Sequence, residues 1–392
     1  MQIIIDAAQQ APHITGTDRL AHNVLRELQT LDTENHYIVL CTTGFDYIPS
    51  VITAPNFKVV RQRLFRRQWK IVVAPWRMLV QGYRKYVERP DLYFSFHNMA
   101  TPRIKFAPTV SSALDLIPLV FSAQYHPDAT RAKMYKRRLQ HTCKTADYFV
   151  AISKHTKQDL QTYLDVPGNK VTVMPLAAEA KFSPETTARR LDDVRAKYKL
   201  PRHFIATIGA NEPRKNAAGV IEAYQKLPDS LRTKYSLAVM GEKWLNRPVE
   251  ETGSKQIMFT GFVDDEDLPV IYSLADAFVF LSTYEGFGLP VLEAMSCNTP
   301  VICANNSSLP EVAGDAAILV DAGDTAACAQ AIRRVLEDPA YAGQLAQAGL
   351  NQAKHFNWTH TAEILLSVFK KALSQQSAQR QRHVTTGKES TL

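Results

Sequence analysis

Glu285 and Glu293 lie on either side of a Gly286-Phe287-Gly288 turn, with Pro290 between that turn and the second acid. Carboxylates accept hydrogen bonds from vicinal hydroxyls, so two of them in this order suit a ligand carrying two hydroxyl-bearing rings. The glycines let backbone amides come close to a ligand. Pro290 suits the first helical position, where its missing N–H costs nothing. The unpaired N–H groups of that helix start favour an anion such as a diphosphate. A diphosphate flanked by two hydroxyl-bearing rings is a nucleotide-sugar. A plainer reading, a buried strand–helix unit with merely exposed acids, would account for a lone Gly-x-Gly. It does not account for both acids, both glycines and the proline in this order.

A second cluster runs Gly209-Ala210-Asn211-Glu212-Pro213-Arg214-Lys215-Asn216. Arg214 offers a planar fork and Lys215 a point charge, a pairing that suits a leaving diphosphate. Alone it is a loop with two exposed bases. In register with the Glu285 segment, both follow strands of one sheet, where open α/β sheets bind ligands.

The elements that position these groups alternate short apolar runs with amphipathic ones, the pattern of doubly wound parallel sheets. Strands are predicted at 2–6, 36–41, 57–61, 92–96, 109–113 and 147–151, then at 204–209, 236–241, 257–260, 277–281 and 300–304. Helices are predicted after the Gly16 loop, with Leu20, Val24, Leu25 and Leu28 on one face, and over 70–87, 128–144 and 154–164. Residues 1–180 read as one Rossmann-like domain, 181–200 as a linker, and 201–355 as a second Rossmann-like domain. An amphipathic helix over 356–373 and a disordered polar tail, 374–392, complete the chain.

The Glu285–Glu293 segment resembles the E-x7-E signature of retaining glycosyltransferases of family 4, which have the GT-B fold: α/β, two Rossmann-like doubly wound domains facing a central cleft. The resemblance covers most of residues 1–373 and is strongest over 205–320. It implies that Glu285 contacts the donor sugar, that the amides of Phe287, Gly288 and Leu289 contact sugar and phosphate, and that Glu293 holds the ribose. Arg214 and Lys215 resemble the family's phosphate-gripping pair. Ser308-Leu309-Pro310-Glu311-Val312 matches another family loop, in which Glu311 reads as structural. The family's last helix crosses back onto the first domain, as 356–373 is then expected to do.

In the first domain, Gly16 would let donor phosphate or acceptor approach the backbone. Thr15-Gly16-Thr17 keeps one of the two glycines common in the family. Many relatives have His-Asp-Leu after the fifth strand. Here Leu114 stands in place of that histidine and Asp115 is kept. Leucine can neither donate nor accept a hydrogen bond, so His97, also at a strand's C-terminal end, is the candidate substitute, with a structural histidine as the plainer alternative.

The chain has 392 residues, 45% hydrophobic, enough for two well-buried cores. Five cysteines without a C-x-x-C pair suggest neither a disulfide framework nor a zinc site, and fit a reducing cytoplasm. Gln2-Ile3-Ile4-Ile5-Asp6 reads as a first strand and not as a signal peptide, and no run approaches the ~20 apolar residues of a membrane span. The net charge of +8 concentrates between Arg61 and Arg89, where basic residues interleave with Leu64, Phe65, Trp69, Trp76 and Tyr83. Such a stretch reads either as an anionic-membrane surface, attracted by about 1 kcal/mol per cation, or as a helix with a solvated basic face. Nucleic acid is a weaker reading, because no recognition motif accompanies the charge.

The resemblance thus implies a retaining, metal-independent hexosyltransferase in surface polysaccharide synthesis, such as lipopolysaccharide. It would use a nucleotide-sugar, with GDP-mannose favoured, and a glycan or lipid-linked acceptor, in the cytoplasm or peripherally on the inner face of the plasma membrane. No cofactor beyond the donor and no metal site is expected; Asp264-Asp265 reads as a turn. The rivals are a GT-B epimerase, which needs no acceptor, and an inactive nucleotide-sugar-binding subunit, which Leu114 makes conceivable.

Overall fold

The computed structural model describes residues 1–8, 15–62, 89–102, 104–126, 128–209, 212–241 and 256–389. They form two compact units, Met1–Leu176 with Trp358–Leu392, and Ala177–Asn357. The helix expected over 70–87 and nearly all of the basic Arg61–Arg89 stretch lie outside the described residues.

The first unit holds a parallel sheet of β1 (Gln2–Asp6), β2 (His36–Thr42), β3 (Phe57–Gln62), β4 (Leu92–Ser95), β5 (Thr109–Ala113), β6 (Tyr148–Ala151) and β7 (Val171–Val173), in the order β3-β2-β1-β4-β5-β6-β7. Strand β1 is apolar on both faces, as a sheet covered by helices on both sides requires: Ile3, Ile4 and Ile5 are wholly buried. The strand order reverses between β1 and β4. That is the switch point where the crevice of such a sheet opens.

The Gly16–Leu31 helix follows β1. Thr15 caps it: Asp18 N–H donates to Thr15 Oγ1 at 3.3 Å, while Thr15 N–H donates to Asp18 Oδ2 at 2.8 Å, a reciprocal capping box. Leu20, Val24, Leu25 and Leu28 are buried on one face, as their spacing predicts.

The chain returns to this unit through the Trp358–Glu389 helix. Ala362, Leu365, Val368, Phe369 and Ala372 recur at helical spacing and are buried, and the Phe369 ring meets Phe94 edge-on at 5.4 Å. This helix runs on through 374–389, where the polar composition predicts disorder. Residues 374–386 hold no proline or glycine to stop a helix already nucleated on the core.

The second unit holds a parallel sheet of β8 (Phe204–Ile208), β9 (Ser236–Met240), β10 (Ile257–Phe259), β11 (Ala277–Phe280), β12 (Val301–Ala304) and β13 (Ile318–Val320), in the order β10-β9-β8-β11-β12-β13. Its switch point falls between β8 and β11. Ile205, Val239, Val279 and Ile302 fill the core with Val220, Tyr224 and Ile332 from the covering helices.

The segment 181–200, read from sequence as a linker, instead carries the Ala188–Lys197 helix and belongs to this unit. Val194 is buried, Arg190 Nη2 lies 2.5 Å from Asp267 Oδ1, and Lys197 Nζ lies 2.6 Å from Asp267 Oδ2. Charge pairing, which an apolar pattern does not reveal, docks the helix. Among the described residues no helix is long and apolar enough to cross a membrane.

Candidate active site

The site grows from the two strands that flank the second unit's switch point. After β8 the chain turns at Gly209, whose φ is +103°, a left-handed conformation that glycine adopts without strain. A Cβ there would come within 2.5 Å of the Lys215 side chain, so Lys215 folds directly over the turn. A short 3-10 turn, Pro213–Lys215, then leads to Asn216, whose side chain accepts from Gly219 N–H and starts the Ala217–Gln225 helix. Lys215 Nζ lies 5.7 Å from the centre of the Phe280 ring.

After β11 come Leu281 to Gly288 and the Leu289–Ser296 helix. Gly288 caps it at φ +114°, and a Cβ there would sit 2.8 Å from Leu309 Cδ2. Glycine is therefore required twice over, by conformation and by space. Pro290 occupies the second helical position, one later than the sequence reading placed it; Leu289 holds the first. Ser307 and Ser308 brace the turn. Glu285 N–H donates to Ser307 Oγ at 2.9 Å, and Ser308 Oγ donates to the carbonyls of Glu285 at 2.9 Å and Phe287 at 2.7 Å. The first amides of the helix have no partner within it, which suits them to an anion.

The two loops are joined by Arg214. Its Nη1 lies 2.8 Å from Glu285 Oε1, and its Nη2 lies 2.7 Å from Glu212 Oε1. Nη1 also donates to the Tyr284 carbonyl, and Thr283 N–H donates to the Arg214 carbonyl at 2.8 Å. Burial alone would lower the guanidinium's pKa, but Glu285 and then Glu212 outweigh it and raise it above the ordinary arginine value. Arg214 is 8% exposed. It is thus an organiser of Glu285 and the turn, a role its sequence neighbourhood does not disclose. Lys215, half-buried beside it, remains the cation placed over the β8 turn.

Glu293 is buried on the Leu289–Ser296 helix, and Tyr272 Oη donates to its Oε2 at 3.5 Å. Burial, and then the Glu293 charge, push the Cys297 thiol up. The structure therefore brings Glu285, Arg214, Lys215, Phe287, Gly288 and Leu289 into one end of one sheet, with Glu293 one turn further in. Glu311 is half-buried on the Leu309–Ala313 helix behind the turn. Glu212, Ser307, Ser308 and Tyr272 were not singled out from sequence; Ser307, Ser308 and Tyr272 reach the site by contacts distant along the chain, and Glu212 through Arg214 two residues on.

The remaining candidates lie in the first unit. Gly16 is the first residue of its helix, exposed, with nothing within 4 Å of a Cβ placed on it. Asp115 Oδ1 accepts from Ile117 N–H at 3.0 Å, and Asn98 bridges the neighbouring backbone by accepting from Leu114 N–H and donating to the Asp115 carbonyl. His97 Nε2 lies 3.5 Å from Asp6 Oδ1. Among the described residues no three or more His, Cys, Asp or Glu side chains gather as a metal cage would need.

Two doubly wound parallel units, one of them with a braced glycine turn and a helix start at its switch point, define a GT-B-like transferase fold. Residues 14–180 match the family described as Glycosyltransferase Family 4, and residues 191–352 match Glycosyl transferases group 1. The chain belongs to this family of glycosyltransferases. O-antigen chain mannosyltransferase B from Escherichia coli is 29% identical over 389 residues, covering 94% of this chain and 100% of that protein. The serotype-specific mannosyltransferase WbdA from Escherichia coli is 34% identical over 274 residues, 68% of this chain, and the match spans 34% of that longer protein. Among solved structures, Anabaena HepE in complex with UDP-glucose superposes with a TM-score of 0.72 at 15% identity, covering 94% of this chain and 100% of that one, a likeness of fold.

Proposed function

We propose that this chain is a retaining, metal-independent mannosyltransferase. It would move the sugar of a nucleotide-sugar, GDP-mannose by preference, onto a glycan or lipid-linked acceptor in O-antigen-type surface polysaccharide synthesis. The observation that carries the reading is the Arg214–Glu285 pair, held at 2.8 Å beside the Gly288 turn at the switch point. The names of the two Escherichia coli relatives support mannose and the O-antigen as the setting. The UDP-glucose bound to HepE supports a nucleotide-sugar as donor for this fold.

In this reading Glu285 accepts from hydroxyls of the donor sugar, and Arg214 holds its carboxylate in place. The amides of Phe287, Gly288 and Leu289, the helix start and Lys215 stabilise charge on the departing diphosphate. These groups supply the positive potential that a divalent ion supplies elsewhere. Retention follows if the departing phosphate oxygen takes the acceptor's proton on the face it leaves. The anomeric configuration of the product, read by NMR coupling, tests this: inversion overturns the retaining assignment. Turnover unchanged by a chelator is expected, and a strict divalent requirement overturns the metal-free part. The Arg61–Arg89 stretch would hold the enzyme on the inner face of the plasma membrane. Wild-type protein is expected to sediment with anionic vesicles and not with neutral ones, and to be released by salt. Absence of binding to anionic vesicles would leave the stretch without a membrane role.

A further inference from the structure

Asp6 ends β1, and His97 follows the end of β4, the strand paired beside it across the first sheet's switch point. Their side chains are 25% and 15% exposed, and His97 Nε2 lies 3.5 Å from Asp6 Oδ1. Asp6 is itself fixed: Tyr93 Oη donates to its Oδ2 at 2.8 Å and Ala8 N–H to its Oδ1 at 3.3 Å. His97 N–H donates to Ser95 Oγ at 3.2 Å. Among the described residues, the charges that reach the imidazole from other elements are Asp18, on the Gly16–Leu31 helix, and Arg138, on the Ala129–Thr145 helix. Tyr135, one turn before Arg138, has a buried Oη, and Arg138 Cζ lies 5.0 Å from the centre of its ring. Burial pushes its pKa up, against the Arg138 charge and hydrogen bond and with the Asp115 charge. These polar side chains come from β1, the ends of β4 and β5, and one helix.

We propose that Asp6 is a positioning residue that holds His97 as a hydrogen-bond donor to an oxygen of the acceptor glycan, beside Tyr135 and Arg138. The inference rests on the transferase reading and goes beyond it by giving the acceptor a site and Asp6 a role. Burial would lower the His97 pKa, but the Asp6 hydrogen bond and charge, with Asp18, raise it against Arg138. Held in this way, His97 donates to the acceptor oxygen, and the departing phosphate takes that oxygen's proton.

The test uses the full chain with Asp6→Asn and Asp6→Glu. Asp6→Asn is expected to raise the acceptor KM about 10- to 100-fold, as loss of a charge-assisted hydrogen bond would, while donor Kd by calorimetry stays within about twofold. The alkaline limb of the pH profile moves toward the ordinary imidazole value, and Asp6→Glu recovers part of the KM. An unchanged acceptor KM, or a donor Kd that rises in parallel, overturns the proposal. If Asp6→Asn does not fold, NMR of labelled histidine in wild type decides. The His97 resonance should titrate above the ordinary range and shift when acceptor is added; a normal titration unaffected by acceptor overturns it. Failure of the transferase reading looks different: wild type would bind donor yet show no acceptor-dependent turnover.

Discussion

Replacing Arg214 with Met removes the counter-charge from two carboxylates while keeping much of the buried volume. Arg214 and Glu285 are 7% and 12% exposed at their side chains, whereas Glu212 is 34% exposed and can turn into water. One stranded charge therefore remains, that of Glu285, together with a Tyr284 carbonyl that loses its donor. Breaking a buried pair from one side costs about 3–5 kcal/mol, and the partial exposure here argues for the lower end, about 3 kcal/mol. At about 2–4 °C per kcal/mol for a unit of this size, Tm of the second unit should fall by roughly 6–12 °C. Adding Glu285→Gln removes the stranded charge, so the double variant should recover part of the loss, with a coupling energy of about 1–3 kcal/mol. Urea unfolding of wild type, both single variants and the double variant gives the cycle; calorimetry with donor gives the binding side. If Arg214→Met unfolds at the wild-type denaturant concentration, or the cycle shows no coupling, then Arg214 does not hold Glu285.

Three further outcomes follow from the same geometry. Lys215→Ala should weaken nucleoside-diphosphate binding far more than nucleoside binding, because the ammonium is assigned to phosphate; equal losses in calorimetry would place it wrongly. Gly288→Ala should cost about 1–3 kcal/mol of stability from the left-handed φ alone, and weaken donor binding. Adding Leu309→Ala should relieve the 2.8 Å contact but not the φ, so full recovery in thermal unfolding would contradict the strain argument. The Asp6–His97 pair sets a pH window. Asp6 is lowered from 3.8 to about 2, so its contribution is present above the unfolded value and lost as pH falls through 2. His97 is raised, so its contribution is present below its unfolded value of 6.5 and lost as pH rises through the folded one. His97→Gln should therefore destabilise more near pH ~5.5 than near pH ~9; equal losses in urea melts would refute the pairing.

Much of the fold was legible because its signals are local. The strands predicted at 2–6, 109–113, 204–209 and 277–281 meet strands of the structure, and the helix over 154–164 has those bounds in it. The strands β7 and β13 escaped because Val171-Thr172-Val173 and Ile318-Leu319-Val320 are too short to stand out from loop sequence. The Ala188–Lys197 segment reads as a charged helical stretch within a linker; its place in the second unit escaped because charge pairing to Asp267 holds it and few apolar residues do. In the site, Glu285, Gly288 and Lys215 were legible from residue type and order. The engagement of Arg214 with Glu285, and of Asp6 with His97, was not. Each pairs residues far apart in sequence, and only the strand order brings them to one end of a sheet. The replacement of a polar residue by Leu114 was visible, but what surrounds it was not: Asn98 pins the Leu114 N–H at 2.9 Å.

The most direct measurement of the central claim is diphosphonucleoside release by the purified chain across a panel of nucleotide-sugars, with and without a mannan-type acceptor, for wild type and Glu285→Ala. When Glu285 is truncated, Arg214 keeps Glu212 and the Tyr284 carbonyl as partners, so the fold should survive, while a charged hydrogen bond of about 1.5–3 kcal/mol to the sugar is lost. The account predicts release that depends on acceptor, is greatest with GDP-mannose, yields a retained linkage, and is lost in the folded Glu285→Ala variant. Release that ignores the acceptor, or near-normal turnover by Glu285→Ala, would contradict it.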